Sequence, residues 1–251
     1  MEAFVRTEVN DLGVGTITFF HPASNSLPGA ILRQLAEHIT EAGERQDIRV
    51  IVMRSGGDRA FCAGASFDEL VAISNEDEGL AFFSGFALVI NAIRTCPKFV
   101  IGRVQGKTVG GGVGLAAAVD HCFATKFAAV KLSELAVGIG PFVVGPAVER
   151  KLGVSGMGTL AVDARTFKSA QWAADHGLYA QVFDSAEEMD EAVDRLAGEL
   201  ASSNPEAMTH LKRVLWQGTE HWDELLTERA AISGRLVLSD FTSNAIAAFK
   251  S

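Results

Sequence analysis

Cysteine is scarce. The 251 residues hold three, Cys62, Cys96 and Cys122, far apart and without a CxxC pair. That excludes a disulfide-stapled secreted scaffold and reads as reduced thiols in a cytosolic protein. Basic residues are outnumbered, 22 Lys and Arg against 31 Asp and Glu, for a net charge of −9. Nucleic acid and anionic membrane surfaces are therefore disfavoured as partners. The longest apolar stretches are broken by glycine and charge well short of a membrane span. The amino terminus, MEAFVRTEVN, carries an acid at position 2 and no apolar run, so no signal peptide is expected and the protein reads as cytoplasmic. The six histidines show neither HxxxH nor HExxH spacing, so no metal site is expected. Low-complexity tracts and fixed-period repeats are absent.

What is present is apolar: 48% of the residues, enough for a sizeable core. The length suits one large domain, or a domain with a helical extension. Phe4–Val9 and Val14–Phe19, separated by Asp11-Leu12-Gly13, read as a hairpin. After the loop HPASNSLP, Ser26 and Pro28 mark a helix start, with Ile31, Leu35 and Ile39 on one face. Val50–Arg54 and Phe99–Val104 are short apolar strands, and Cys122–Ala124 is a third. Asp77–Thr95 is a long helix that Pro97 ends. Short strands alternating with helices argue for an α/β fold. From about Ser185 the strands vanish. Glu187–Leu200, Pro205–Gly218 and Trp222–Leu238 read as amphipathic helices that cover the core or form a subunit interface, with Trp216, Trp222, Leu225 and Leu226 as their anchors.

The stretch GKTVGGGVGLAAAV, residues 106–119, runs a strand through three glycines into a helix starting near Gly112 and stopping around Asp120. Unpaired N–H groups and the helix dipole at such a turn favour an anion, and glycine lets it approach. The anion is a phosphate or a developing oxyanion; the plainer alternative is close strand–helix packing. Neither GxxxxGK[ST] nor a GxGxxG in the right context occurs. The loop RAFCAGASFDEL, residues 59–70, repeats the design, with Ala63-Gly64-Ala65 and Ser66 as a helix cap. Two such turns could donate two N–H groups to one oxygen.

FCAGASFDEL, PKFVIGRVQGKTVGGGVGLAAAVDHCFAT and KLSELAVGIGP, in that order, closely resemble the crotonase superfamily, the enoyl-CoA hydratase/isomerase family. The resemblance covers roughly residues 4 to 180. It implies a spiral of ββα units: a core over residues 1–190 holding the acyl-CoA site, and a carboxy-terminal helical region over 191–251 for oligomerisation or cover. It further implies an acyl-CoA thioester as substrate, coenzyme A entering only as part of it, no separate cofactor, and a homo-oligomer, a trimer or dimer of trimers. The enolate oxygen would be held by the backbone N–H groups of Ala65 and Gly111. Ala63, Gly64 and Gly110 belong to the same loops. Asn25 and Leu27 match the loop that lines the CoA site through backbone atoms, and Lys250 lies where relatives place a basic residue near the CoA phosphates.

Hydratases of this family hold water between two glutamates. One matches Glu134; the other matches Gly114, where this chain has no side chain. A single carboxylate can take a proton from one carbon and return it to another. Between Glu134 and Glu149 the chain reads LAVGIGPFVVGPAV, which holds no ionisable group and lacks the aspartate of dienoyl-CoA isomerases and halide-displacing relatives. GIGPFVVG is similar to the corresponding stretch of single-glutamate enoyl-CoA isomerases. Pro141, Phe142, Val143 and Val144 would form a dry wall that raises the pKa of Glu134. Double-bond isomerisation is the favoured reaction. Hydration, carbon–carbon lysis or decarboxylation with one glutamate, and silent CoA-thioester binding, are the alternatives. Cys62 reads as a small buried thiol and His121 as a hydrogen-bonded structural residue. Asp120 is read as structural, and Glu149 as an exposed helix residue paired with a nearby base.

Overall fold

A computed structural model describes residues 2–250, with side chains as far as residue 246. The Phe4–Val9 strand (β1) and Val14–Phe20 strand (β2) form the expected antiparallel hairpin, Val9 opposite Gly15. The turn works because Asn10 Oδ1 accepts from the Leu12 and Val14 N–H groups, while Gly13 takes φ +80°. Every later strand in this sheet pairs in parallel. Val50–Ser55 (β4), Val100–Val104 (β6), His121–Thr125 (β8) and Gln181–Phe183 (β10) complete the order β1-β2-β4-β6-β8-β10.

Between them lie two-residue strands in a second, smaller layer: Ser26–Leu27 (β3), Gly64–Ala65 (β5), Thr108–Val109 (β7) and Val130–Lys131 (β9). β3 pairs with β5 and β7 with β9, and a bridge from Cys62 to Thr108 joins the two pairs. Each long strand is thus followed by a short one and then by helix. β2-β3 leads to Gly29–Glu44 (α1). β4-β5 leads to Phe67–Ala72 (α2) and Glu76–Thr95 (α3), and β6-β7 to Gly111–Ala118 (α4). β8-β9 leads, past a 3-10 turn at Glu134–Val137, to Gly145–Val162 (α5) and Ala170–Asp175 (α6). This is the expected ββα spiral. The sequence shows no fixed period because the units begin at Val14, Val50, Val100 and His121, at unequal intervals.

The strands read as continuous apolar runs because both faces of the sheet are covered. Ile51 and Met53 face the larger core with Ile17, Phe19 and the helices α1, α3 and α4. Val50 and Val52 face the opposite way, onto Met189 and Val193 of the Ala186–Ala201 helix (α7). The boundary expected at residue 190 falls inside α7. Pro205–Leu215 (α8), Trp222–Leu236 (α9) and Asp240–Lys250 (α10) follow, α10 being a helix the sequence periodicity did not suggest. The residues between Cys122 and Ser185 likewise fold into elements that periodicity left unread, α5 and α6 among them.

The tail is docked by polar contacts as well as by packing. Trp216, Trp222 and Leu226 are buried, and the two tryptophans meet edge to face. Asp120, at the end of α4, is structural as expected: it accepts from the Val100 N–H (2.7 Å) and from Trp216 Nε1 (2.8 Å), and pairs with the buried Lys212 (2.8 Å). His121 instead packs edge-on against Phe123, in place of the hydrogen bond expected for it. Cys62 is buried, and burial pushes its thiol up to about 12, as an inert thiol requires. Glu149 is exposed but makes no ion pair among the described residues.

Candidate active site

The two glycine turns meet because the chain segments before them pair directly. Phe61 N–H donates to the Lys107 carbonyl (3.0 Å) and Val109 N–H to the Cys62 carbonyl (2.9 Å). Gly110 N–H donates onward to the Lys131 carbonyl (2.9 Å), which brings in the segment leading to Glu134. A small ribbon of two-residue strands therefore gathers residues from positions 65, 111 and 134 into one place.

Side chains are excluded from these turns by geometry. Gly64 has φ +96° and Gly110 φ +53°, conformations that favour glycine. A Cβ at Gly110 would lie 3.1 Å from Glu134 Oε1, so the carboxylate rests against that bare backbone. A Cβ at Gly111 would fall 2.2 Å from the Phe86 ring, and one at Gly112 2.7 Å from Cys62. Gly111 opens α4, so its N–H is one of the first-turn donors without an intrahelical acceptor. On the other side, Ser66 caps α2 through the Glu69 N–H as expected, and Ser26 Oγ donates to the Ala65 carbonyl (2.8 Å).

These elements enclose a pocket of about 230 Å³. Ala63, Gly64, Ala65, Gly110, Gly111, Glu134, Pro141 and Phe142 all line it, as do Val143 and Val144. Glu134 is the only ionisable residue among the described residues lining it. It opens its 3-10 turn, whose carbonyl at Glu134 accepts from Ile139 N–H, with Gly138 in the left-handed conformation behind it. Oε2 is buried and has no hydrogen-bond partner. Burial raises the Glu134 pKa to about 7, against a smaller opposing pull from the backbone N–H groups of Glu134 and Ser133. A carboxylate poised there holds and releases a proton near neutral pH.

Three expected residues fall elsewhere. Asn25 and Leu27 are buried and do not line the pocket. Asn25 holds the loop instead: its amide donates to the Gly56 and Ala60 carbonyls, and its Oδ1 accepts from His21 N–H. The Asn25 and Leu27 carbonyls accept from the Ala63 and Ser66 N–H groups, tying this segment to the first glycine turn. Gly114 lies behind the wall. A Cβ there would come within 2.4 Å of Val144 Cγ1, so the place where a second acid would begin is filled by valine. The Lys250 side chain is outside the described ones. Other lining residues escaped the sequence reading: Phe67, Leu70, Phe82, Phe83 and Phe86 from α2 and α3, and Ser233 from α9. Phe83 shows in the helical periodicity only as a core residue. Nothing local in the sequence distinguishes a pocket-facing phenylalanine from a core one.

No cluster of three or more His, Cys, Asp or Glu positioned to hold a metal occurs among the described residues. No described helix is long and apolar enough to cross a membrane.

The architecture is that of the crotonase fold. An enoyl-CoA hydratase from Bacillus halodurans superposes with a TM-score of 0.89 at 19% identity, over 98% of this chain and 99% of that one. An enoyl-CoA hydratase/isomerase from Xanthobacter autotrophicus Py2 gives 0.88 at 20% identity, over 100% and 94%. The profile of the enoyl-CoA hydratase/isomerase family matches residues 10–245, and the chain belongs to that family. Among its relatives, the peroxisomal Delta(3,5)-Delta(2,4)-dienoyl-CoA isomerase of Arabidopsis thaliana is 28% identical over 240 residues, 89% of this chain and 84% of that protein. The mitochondrial methylglutaconyl-CoA hydratase of Homo sapiens is 31% identical over 200 residues, 78% of this chain and 58% of that protein. The chain is thus an enzyme of the isomerase/lyase class, in a family that includes both isomerases and hydratases.

Proposed function

We propose that this enzyme isomerises the double bond of an enoyl-CoA, Δ3 to Δ2, with Glu134 as the only acid–base group. The observation that carries this reading is a solitary carboxylate, its buried Oε2 without a hydrogen-bond partner, in an otherwise non-ionisable pocket, with Val144 occupying the space of a second acid. Ionised Glu134 takes a proton from the carbon next to the thioester carbonyl. The electron pair moves through the double bond, leaving a dienolate whose charge sits on the thioester oxygen. The Ala65 and Gly111 N–H groups stabilise that oxygen, aided by the α4 dipole. Protonated Glu134 then returns the proton to the far carbon, and the double bond comes into conjugation. The substrate changes no net oxidation state, so the step asks for no redox partner; coenzyme A enters as part of the substrate.

A dry wall suits this step. Pro141, Phe142, Val143 and Val144 exclude the water that would otherwise protonate the dienolate or add to the product. Exposed Leu211, Val214 and Leu215, at helical spacing on α8, support a homo-oligomer as part of this reading.

The test is a panel of Δ2- and Δ3-enoyl and malonyl-type CoA thioesters followed by product mass and double-bond position. Unchanged mass with a moved double bond is the expected result. A gain of water, a loss of carbon dioxide, or tight binding without turnover would replace this reading with a hydratase, a decarboxylase or a silent binding protein.

A further inference from the structure

Sixteen phenylalanines are spread along the chain, and five of them meet at this one pocket: Phe67, Phe82, Phe83, Phe86 and Phe142. They come from three separate segments, the start of α2, one stretch of α3 and the loop after the Glu134 turn. Phe82 and Phe83 stand edge to face, centroids 5.0 Å apart at 88°. Glycines make room for two of the others. A Cβ at Gly111 would strike the Phe86 ring at 2.2 Å, and one at Gly140 the Phe142 ring at 2.5 Å. Phe86 and Phe142 are therefore seated against backbone beside the reacting centre, Phe86 buried, while Phe67, Phe82 and Phe83 stay partly exposed around the opening.

Another part of the wall is set by a close helix crossing. α3 and α9 cross at glycine: a Cβ on Gly79 would lie 2.7 Å from Gly234 Cα. That contact holds backbone against backbone and sets the position of the adjacent Ser233, which faces the pocket. A chamber walled by two-torsion rings and a close helix crossing offers few ways to adapt to a long flexible chain, which also loses rotamer freedom on entry. A flat ring fits it better, because aromatic edges and faces add attraction beyond the area they bury.

From this geometry we propose that the acyl group of the substrate is compact and aryl-bearing rather than a linear fatty chain. The inference rests on the site reading above and names the substrate class of that site.

The test uses saturated thioesters, which bind but have no double bond to move, so its outcome is independent of whether the reaction is isomerisation. Phenylpropanoyl-, cyclohexylpropanoyl- and nonanoyl-CoA, of equal carbon count, are titrated calorimetrically into the intact protein. The phenyl compound is expected to bind about tenfold more tightly than the cyclohexyl one, and more tightly again than the linear one. Phe82→Leu and Phe83→Leu should erode the phenyl preference while leaving cyclohexyl binding within about threefold. Equal affinity for ring types, or tightest binding of nonanoyl-CoA, overturns the inference. If none of the three binds, the site reading itself fails, and the inference with it.

Discussion

Residues 110–114 and residues 134–144 line or back the same pocket, yet they are built on opposite principles. The first segment is nearly all backbone: four glycines and a valine, fully buried, with a Cβ at Gly111, Gly112 or Gly114 meeting a neighbour at 2.2 to 2.7 Å and Gly110 held at φ +53°. The second acts mainly through side chains: one carboxylate and a run of apolar groups around two glycines, much of it partly exposed. In the proposed isomerisation the first contributes oriented dipoles and the second a mobile proton. A single acid then suffices, because the backbone turn carries the charge stabilisation and leaves the side chain only a proton to move.

The largest expected effect comes from removing the proton carrier. Glu134→Gln should lower kcat about 10²–10⁴-fold in steady-state assays while thioester binding, measured by calorimetry, stays nearly unchanged. Undiminished turnover would show that the two segments do not divide the labour in this way. Disturbing the backbone side comes next. Gly111→Ala drives a methyl into Phe86 and shifts the α4 N–H groups, and should cost about 10²–10³ in kcat with little change in Glu134 titration. An equally large change in that titration would mean that the segments are not separable.

Stability should move the opposite way for the carboxylate. The Glu134 pKa is raised from 4.5 to about 7, so between those values the native state keeps a proton that the unfolded chain has released. Unfolding free energy therefore falls as pH rises through that window. Glu134→Gln should show no such fall from this site. By pH 8 denaturant melts should find it more stable than the parent by on the order of 3 kcal/mol, and nearly equal to it at pH 4. A parent and variant that respond alike to pH would place the titration elsewhere.

The smallest effect tests the filled position. Gly114→Ala should destabilise by about 1–3 kcal/mol through its clash with Val144, and Val144→Ala in the same chain should recover much of that. Strict additivity in the double-mutant cycle would mean that Val144 does not occupy that space.

The glycine turns and Glu134 were legible because each leaves a local mark: strand, glycine, helix start, and one acid beside fourteen uncharged residues. The alternating strands and the helical tail showed through periodicity. That α7 packs on the sheet did not show, because it is amphipathic like the tail; its contacts with Val50, Val52, Ile101 and Phe123 appear only in the structure. The same reason hid the phenylalanines of α3: on an isolated helix, core-facing and pocket-facing rings share one spacing. Asn25 illustrates the converse. Its loop was legible, but its side chain turns inward to carbonyls some thirty residues away, a distance no local pattern reports.

By itself the sequence determined which backbone could bend, which acid was alone, and that position 114 carried no side chain. Those are properties of single residues and short spacings. Only the tertiary structure decided that Val144 fills position 114, that the Glu134 carboxylate is desolvated against Gly110, and that five rings close on one pocket. Each of these depends on atoms brought together from separate turns of the spiral, and both burial and steric exclusion are set by such neighbours rather than by the residue that feels them.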